Sequence, residues 1–443
     1  SVTNPTDVQE TFQIAKSLGL YAIGSFDQGV TLLSQQRRAL NLAWALIESQ
    51  QIPLADDDAM PVRIAVIGAG FAGLTFAAAL FQKRSNCEVM IFEQRDTLLP
   101  LQQGSDTRWL HPHIYDWPAE GSEATAAMLP LLNWTAARAS DVVVQALTSW
   151  RALLRSRKPK VRLFCNVRHL QVSHNQDDRT KAQVEWVGEE REALGGSIHQ
   201  SVRGSQGESQ SFDIVVLAVG FGLEIGQGPS YWRNETISQP GLEQPSRTYL
   251  VSGQGDGAMI DLMRIRVSQF RQDRILDELF QGKPELLGKL KEFRAAYDSP
   301  PEGYSLFGQL DELARSGTIA ADQLSDSIAA LGKRLRRDTD VVLRLKVRNL
   351  AELLSVEASR TSFQNGLIIY LLYRCGGFAP STEPVRSLAK SLKIPPEQVI
   401  VRHGTERLQQ LQRLLAPDLF EPVRVGWEAD RCAGFRQTDA TCW

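Results

Sequence analysis

Residues 64–80 read IAVIGAGFAGLTFAAAL. A short apolar run, Ile64–Ile67, meets three glycines and then a segment rich in alanine and leucine. That order predicts a buried strand, a tight turn and a helix. Gly68, Gly70 and Gly73 have the GxGxxG spacing, in the strand-then-helix context the motif needs. Gly68 permits the turn, Gly70 lets a diphosphate approach bare backbone, and Gly73 lets the helix lie close on the strand. Phe71 and Ala72 open the helix, whose unpaired N–H groups and dipole face the phosphates. CEVMIFE (87–93) reads as a second buried strand, and Glu93 closes it twenty residues past Gly73. A carboxylate there accepts from a ribose 2′-hydroxyl and repels a 2′-phosphate. The residues therefore point to an adenosine diphosphate without that phosphate, as in FAD or NAD, with Gln94 and Arg95 beside it.

The rest of the composition is that of an ordinary globular chain. Of 443 residues, 43% are apolar and 23% charged, and 49 basic against 51 acidic residues give a net charge of −2. That balance argues against a nucleic-acid binder and gives no reason to expect a membrane surface. The longest apolar runs, Phe76–Phe81 and Leu367–Tyr373, are too short to span a bilayer. SVTNPTDVQE at the start shows no secretory pattern. Cys87, Cys165, Cys375, Cys432 and Cys442 form no C-x-x-C pair, which predicts reduced thiols in a cytoplasm and no metal site.

In 1–54, Leu33, Leu40, Ala43, Trp44 and Ile47 share a helical face. Residues 161–220 return to strands: VRLFCNV, HLQVSH, AQVEWVG and FDIVVLAVG. NQDDRTK and the stretch 188–211 read as turns and a long surface loop. From about Arg266 the pattern is mostly helical, with VVLRLKV (341–347), VIVRH (399–403) and VRVGW (423–427) as candidate strands.

On the first motif, Glu93 and the strand series that follows, the chain resembles the two-dinucleotide-binding-domain flavoproteins, the glutathione-reductase-like family. The resemblance runs from about Val62 to Arg264 and includes Ala77 on the packed helix face. It implies FAD at the first site, VRLFCNV against the adenine with Val167 offering backbone hydrogen bonds, and FDIVVLAVGFG (212–222) as the closing strand ending at Gly220. It also implies a Rossmann-like FAD-binding domain with a strand meander; with the helical patterns on either side, the expected α/β fold adds an N-terminal helical extension and a mostly helical C-terminal domain. The expected boundaries are 1–60 for the extension, 61–265 for the FAD domain with a loop and helical insertion at 100–160, and 266–443 for the remainder, with part of an NAD(P)-binding domain left open there.

A second cluster, TYLVSGQGDGAMIDLMRIR (248–266), is again strand, glycine turn and helix. Two readings stand. Gly253, Gly255, Gly257 and Ala258 form a second nucleotide turn for NADP or NAD, with Arg344, Lys346 and Arg348 as candidate partners of a 2′-phosphate. Alternatively, as the resemblance implies, Gly255-Asp256 is the family's Gly-Asp motif and Asp256 holds the FAD ribityl chain.

DTRWLHPHIYDWP (106–118) places two of six histidines beside an arginine, an aspartate and two tryptophans. Arg108 is the candidate to stabilise an anionic flavin or substrate carboxylate. His111 and His113 are candidate proton donors or bases, and Asp116 their partner. Tyr231, Trp232 and Arg233 are expected to line the same cavity. The absence of C-x-x-C argues against a disulfide reductase, and the absence of G-x-S-x-G against a serine hydrolase. The expected activity is that of an FAD-dependent oxidoreductase reduced by NAD(P)H, passing electrons to oxygen or a small organic substrate, in the monooxygenase or reductase manner. The alternatives are an amine or amino-acid oxidase, or a flavin-binding regulatory or assembly subunit. The expected partners are a small-molecule substrate and, through the helical regions, another copy or another protein.

Overall fold

Val62–Ile67 forms a strand and Phe71–Gln82 a helix with Gly70 at its N-cap, as the glycine spacing predicts. The structure is a computed structural model. It describes all residues except 1–3, 25–29, 56–58, 195–200, 221–229, 243–244, 356–360, 405–406 and 431–442. In chain order the strands are β1 (Gln13–Ala15), β2 (Gly19–Ala22), β3 (Val62–Ile67), β4 (Cys87–Phe92), β5 (Trp109–Leu110), β6 (Ala137–Arg138) and β7 (Val161–His174). They continue with β8 (Ala182–Arg191), β9 (Ser201–Phe212), β10 (Ile214–Leu217), β11 (Arg247–Ser252), β12 (Thr339–Arg344), β13 (Ala379–Ser381) and β14 (Val399–Val401).

The first sheet runs β1-β2-β10-β3-β4-β7-β8-β9. Its centre, β7-β4-β3-β10, is parallel and has the 3-2-1-4 order of a doubly wound nucleotide fold. β10 is buried along its whole length and β3 over its last four residues, so both read as continuous apolar runs. β8 and β9 form the antiparallel meander. The expected helical extension is only partly helical. Pro5–Phe12 and Leu32–Glu48 are helices, but β2 joins the sheet parallel to β10, and β1 pairs antiparallel with β2 at its edge. Gly19 makes that approach possible, because a Cβ there would lie 2.5 Å from the Asp213 carbonyl oxygen. Ser201–Phe212, expected as surface loop, is a strand held by backbone pairing to β8.

The second sheet runs β13-β12-β11-β14, all parallel, and repeats the 3-2-1-4 order. VVLRLKV and VIVRH supply two of its strands, as expected. β11 and the Asp256–Arg266 helix, expected on the first domain's side of a boundary at 265, belong to this sheet. The helices Ile275–Phe280, Pro284–Asp298, Leu306–Arg315 and Ile319–Gly332 are inserted between that helix and β12. VRVGW is not a strand. It lies in the Pro417–Asp430 helix, where Leu419, Phe420 and Val423 pack at helical spacing against the outer face of the first sheet. The chain thus returns to its first sheet after building the second.

One face of the first sheet is covered by Leu32–Glu48, Phe71–Gln82 and Ala139–Arg157. The other is covered by the meander aromatics and the last helices. Among the described residues no helix is long and apolar enough to cross a membrane. Gln36, fully buried, ties the first helical layer together. Its amide donates to Thr75 Oγ1 at 3.2 Å and to the Leu132 carbonyl at 3.1 Å, and it accepts from Trp134 Nε1 at 2.8 Å. Replacing Gln36 by Ala leaves a buried indole N–H without a partner. Urea unfolding is expected to show a loss of about 1–3 kcal/mol; an unchanged midpoint contradicts this packing.

Candidate functional site

The first glycine turn is built by exclusion. Gly68 has a φ of 112°, and a Cβ there would strike the Ala218 carbonyl, while one on Gly73 would strike the Gly68 carbonyl. A Cβ on Gly70 would meet nothing within 4 Å, so the backbone above the helix N-terminus is open. Gly70, the N-cap, has no side-chain hydroxyl or carboxylate to take the first-turn N–H groups, and Phe71 and Ala72 are buried behind it. Glu93 Oε2 accepts from Ala69 N at 3.0 Å and Oε1 from Arg95 N at 2.9 Å. Burial pushes its pKa up, and those backbone donors oppose the rise. Gln94 is exposed beside it. Val167 N donates to the Glu93 carbonyl at 3.0 Å, so that expected backbone donor to an adenine is already engaged. Gly220, at φ 60°, follows β10 past the same turn. The open cradle, the free helix end and the carboxylate fit an adenosine diphosphate.

The second turn repeats the plan at the switch point of the second sheet. A Cβ on Gly253 would strike the Arg402 carbonyl and come within 2.7 Å of Ala258 Cβ. Gly255 caps the Asp256–Arg266 helix without a side chain. The Asp256 carboxylate is committed elsewhere. Its Oδ1 accepts from Ser362 N at 2.8 Å, Ser362 Oγ at 2.7 Å and Asn365 Nδ2 at 2.7 Å, at the start of the Phe363–Arg374 helix. Burial raises its pKa and these three bonds oppose the rise. A cavity of about 190 Å³ opens over the turn, lined by Gln254, Gly255, Gly257, Lys346, Arg402 and His403. Its charged lining is cationic. Sequence spacing pointed to Lys346 but to neither Arg402 nor His403, which reach the turn through β14, a strand 146 residues away (399 against 253).

Residues 106–118 bridge the two units. Arg108 is buried, and its Nη1 lies 2.5 Å from Asp261 Oδ1 while Nε donates to the Tyr231 carbonyl at 2.6 Å. Asp261, fully buried, also holds Arg402 Nε at 2.9 Å and Arg264 Nη1 at 3.5 Å, and Arg264 pairs with Glu235. Burial opposes charge on both Arg108 and Asp261, but their mutual attraction outweighs it, raising the arginine's pKa and lowering the aspartate's. Asp261 gave no motif in the sequence. Tyr231 lies under the Arg108 guanidinium and against Gly257, so it walls the second turn, while Arg233 is exposed.

The histidines do not converge on either turn. His113 Nε2 lies 2.8 Å from the Ala126 carbonyl and Nδ1 lies 3.5 Å from the exposed Asp116. His111 Nδ1 accepts from His113 N at 3.2 Å, and burial followed by His113 lowers its pKa. Trp117 packs on Phe280, and Arg271 lies over Trp109. Of the four expected catalytic side chains, Arg108 is tied into a buried ion cluster, and among the described residues no contact brings His111, His113 or Asp116 to a glycine turn.

The fold and first turn define a dinucleotide-binding α/β chain. Residues 63–206 match the family described as FAD dependent oxidoreductase, about a third of the chain. No curated protein matches. Among solved structures, an oxidized steroid monooxygenase bound to NADP is 12% identical, covering 80% of this chain and 73% of that one, with a TM-score of 0.32. A cyclohexanone monooxygenase mutant from Rhodococcus sp. Phi1 bound to NADP+ is 13% identical over 84% and 58%, TM-score 0.25. DfoA bound to FAD, the desferrioxamine-pathway cadaverine monooxygenase of Erwinia amylovora, is 14% identical over 86% and 96%, TM-score 0.27. Likeness at this level carries no argument about activity.

The two kinds of glycine are separable by experiment. Gly70→Ala is expected to fold normally but bind FAD at least about tenfold more weakly, because the new methyl occupies the diphosphate's approach. Gly73→Ala is expected to lower stability itself. Flavin retention after gel filtration and a thermal melt read both; normal FAD binding by Gly70→Ala contradicts the placement.

Proposed function

We propose that this chain is an FAD-dependent oxidoreductase of the two-dinucleotide-binding, glutathione-reductase-like type, reduced by NADPH. The observation that carries the proposal is the repeated 3-2-1-4 sheet, with a glycine turn at each switch point. The first unit, built from the N-terminal region through Gly220 and the returning helices, is assigned to FAD through Gly68, Gly70, Gly73 and Glu93. The second, from β11 to β14, is assigned to the coenzyme through Gly253, Gly255 and Gly257. Glu93 at the first turn suits a free ribose hydroxyl, whereas Lys346 at the second suits a 2′-phosphate.

When bound, FAD supplies the redox chemistry; the chain's own residues orient, shield and neutralise. The helix ends at Gly70 and Gly255 present N–H groups to diphosphates. Electrons pass to oxygen or to a small organic substrate. An amine oxidase or a flavin-binding regulatory subunit has no use for the second turn and its cations.

NADPH added anaerobically to the FAD-loaded protein is expected to bleach the flavin, and NADH to do so less efficiently. Lys346→Ala is expected to raise the KM for NADPH about tenfold and leave NADH unchanged. Indifference of the flavin to both coenzymes overturns the proposal in favour of the oxidase.

A further inference from the structure

His403 stands just past β14 at the mouth of the second cavity. Ser252, fully buried at the end of β11, holds its hydroxyl 2.9 Å from His403 Nε2. That bond ties the ring to the ends of two adjacent strands and leaves Nδ1 as its other polar atom. Lys346 and Arg402 line the same cavity, and Arg344 ends β12 beside Lys346. Two acids stand at this cluster: Asp261, bound to Arg402, and Asp256, between the lining Gly255 and Gly257, whose Oδ1 accepts from Ser362 and Asn365.

We propose that His403 is a phosphate contact of the second cavity, and that coenzyme binding there takes up a proton on its ring. This rests on the cavity holding a nicotinamide coenzyme. In the free protein, burial and then the charges of Lys346 and Arg344 hold the imidazole below its usual pKa, so it is neutral near pH 7. A phosphate brings negative charge into the same cavity and favours the imidazolium. A group whose pKa rises on binding takes up protons. Affinity therefore grows as pH falls through the bound-state pKa and levels off below the free-state pKa. A phosphate monoester, with its second pKa near 6, does the opposite: held among fixed cations, it releases protons. The sign of proton exchange separates the histidine from the phosphate.

The test is calorimetric titration of the FAD-loaded full chain with NADP+ and with NAD+, near pH 7, in two buffers of different ionisation enthalpy. The expected result is net uptake of up to about one proton, absent in His403→Asn, which binds about tenfold more weakly at the acid end. Uptake with NADP+ alone assigns the 2′-phosphate as partner; equal uptake with NAD+ assigns the diphosphate; both support the proposal. Binding without uptake, with net release, or with uptake unchanged in His403→Asn overturns it and leaves the coenzyme pocket standing. Failure of both coenzymes to bind overturns the pocket assignment and the proposal together. Should His403→Asn not fold, the sign measured on the native chain decides.

Discussion

Where the Phe71–Gln82 helix descends on β3, the Gly73 α-carbon lies so close to the Gly68 carbonyl that no side-chain carbon fits between them. The helix end is thereby carried down onto the strand end, and its N–H groups are left without internal partners. At Gly253 the same crowding recurs, against the Arg402 carbonyl and Ala258. Both crowded places lie at the carboxyl ends of parallel strands, where the strand order reverses and a crevice must open. The steric demand at a few α-carbons thus decides where the molecule can receive a phosphate. Gly70 shows the complementary case: its missing Cβ leaves space that the protein itself does not fill.

The two units are joined by buried charge as well as by chain. Asp261 gathers Arg108 from the bridging segment and Arg402 from beside the second turn. A buried carboxylate of this kind is costly to desolvate and is retained only with close cationic partners, so removal of one partner costs more than a surface pair would. Arg108 therefore acts through position: it fixes the segment that carries His111, His113 and Trp117 against the second unit. The Arg294 guanidinium reinforces this by donating to the carbonyls of Tyr115 and Trp117.

Much of this was legible in the sequence because the glycine turns are local. The strand, turn, helix and closing acid of the first site lie within about thirty residues, and each is required by sterics or by the ribose. VVLRLKV and VIVRH were legible as short runs rich in valine, leucine and isoleucine. β2 was not: its four residues pair with β10 through a close approach at Gly19, which no periodicity reports. β9 was not, because SVRGSQGESQSF pairs through backbone and presents few apolar side chains. VRVGW alternates like a strand, yet its own Val423 completes a helical stripe with Leu419 and Phe420. The expected catalytic segment was unusual for a real reason, but its partners lie on the Asp256–Arg266 helix and beyond, and pairwise contacts at such separation leave no local pattern. The C-terminal residues 439–442 lie outside the described residues, while Trp443 packs at Lys83.

The most direct measurement is an experimental structure of the chain loaded with FAD and NADP+. Two separate nucleotides are expected, the flavin's diphosphate over Gly70 with its adenosine ribose at Glu93, and the NADP+ diphosphate over Gly255 with Lys346 at the 2′-phosphate. A single nucleotide spanning both turns, or FAD seated over Gly255, contradicts the account.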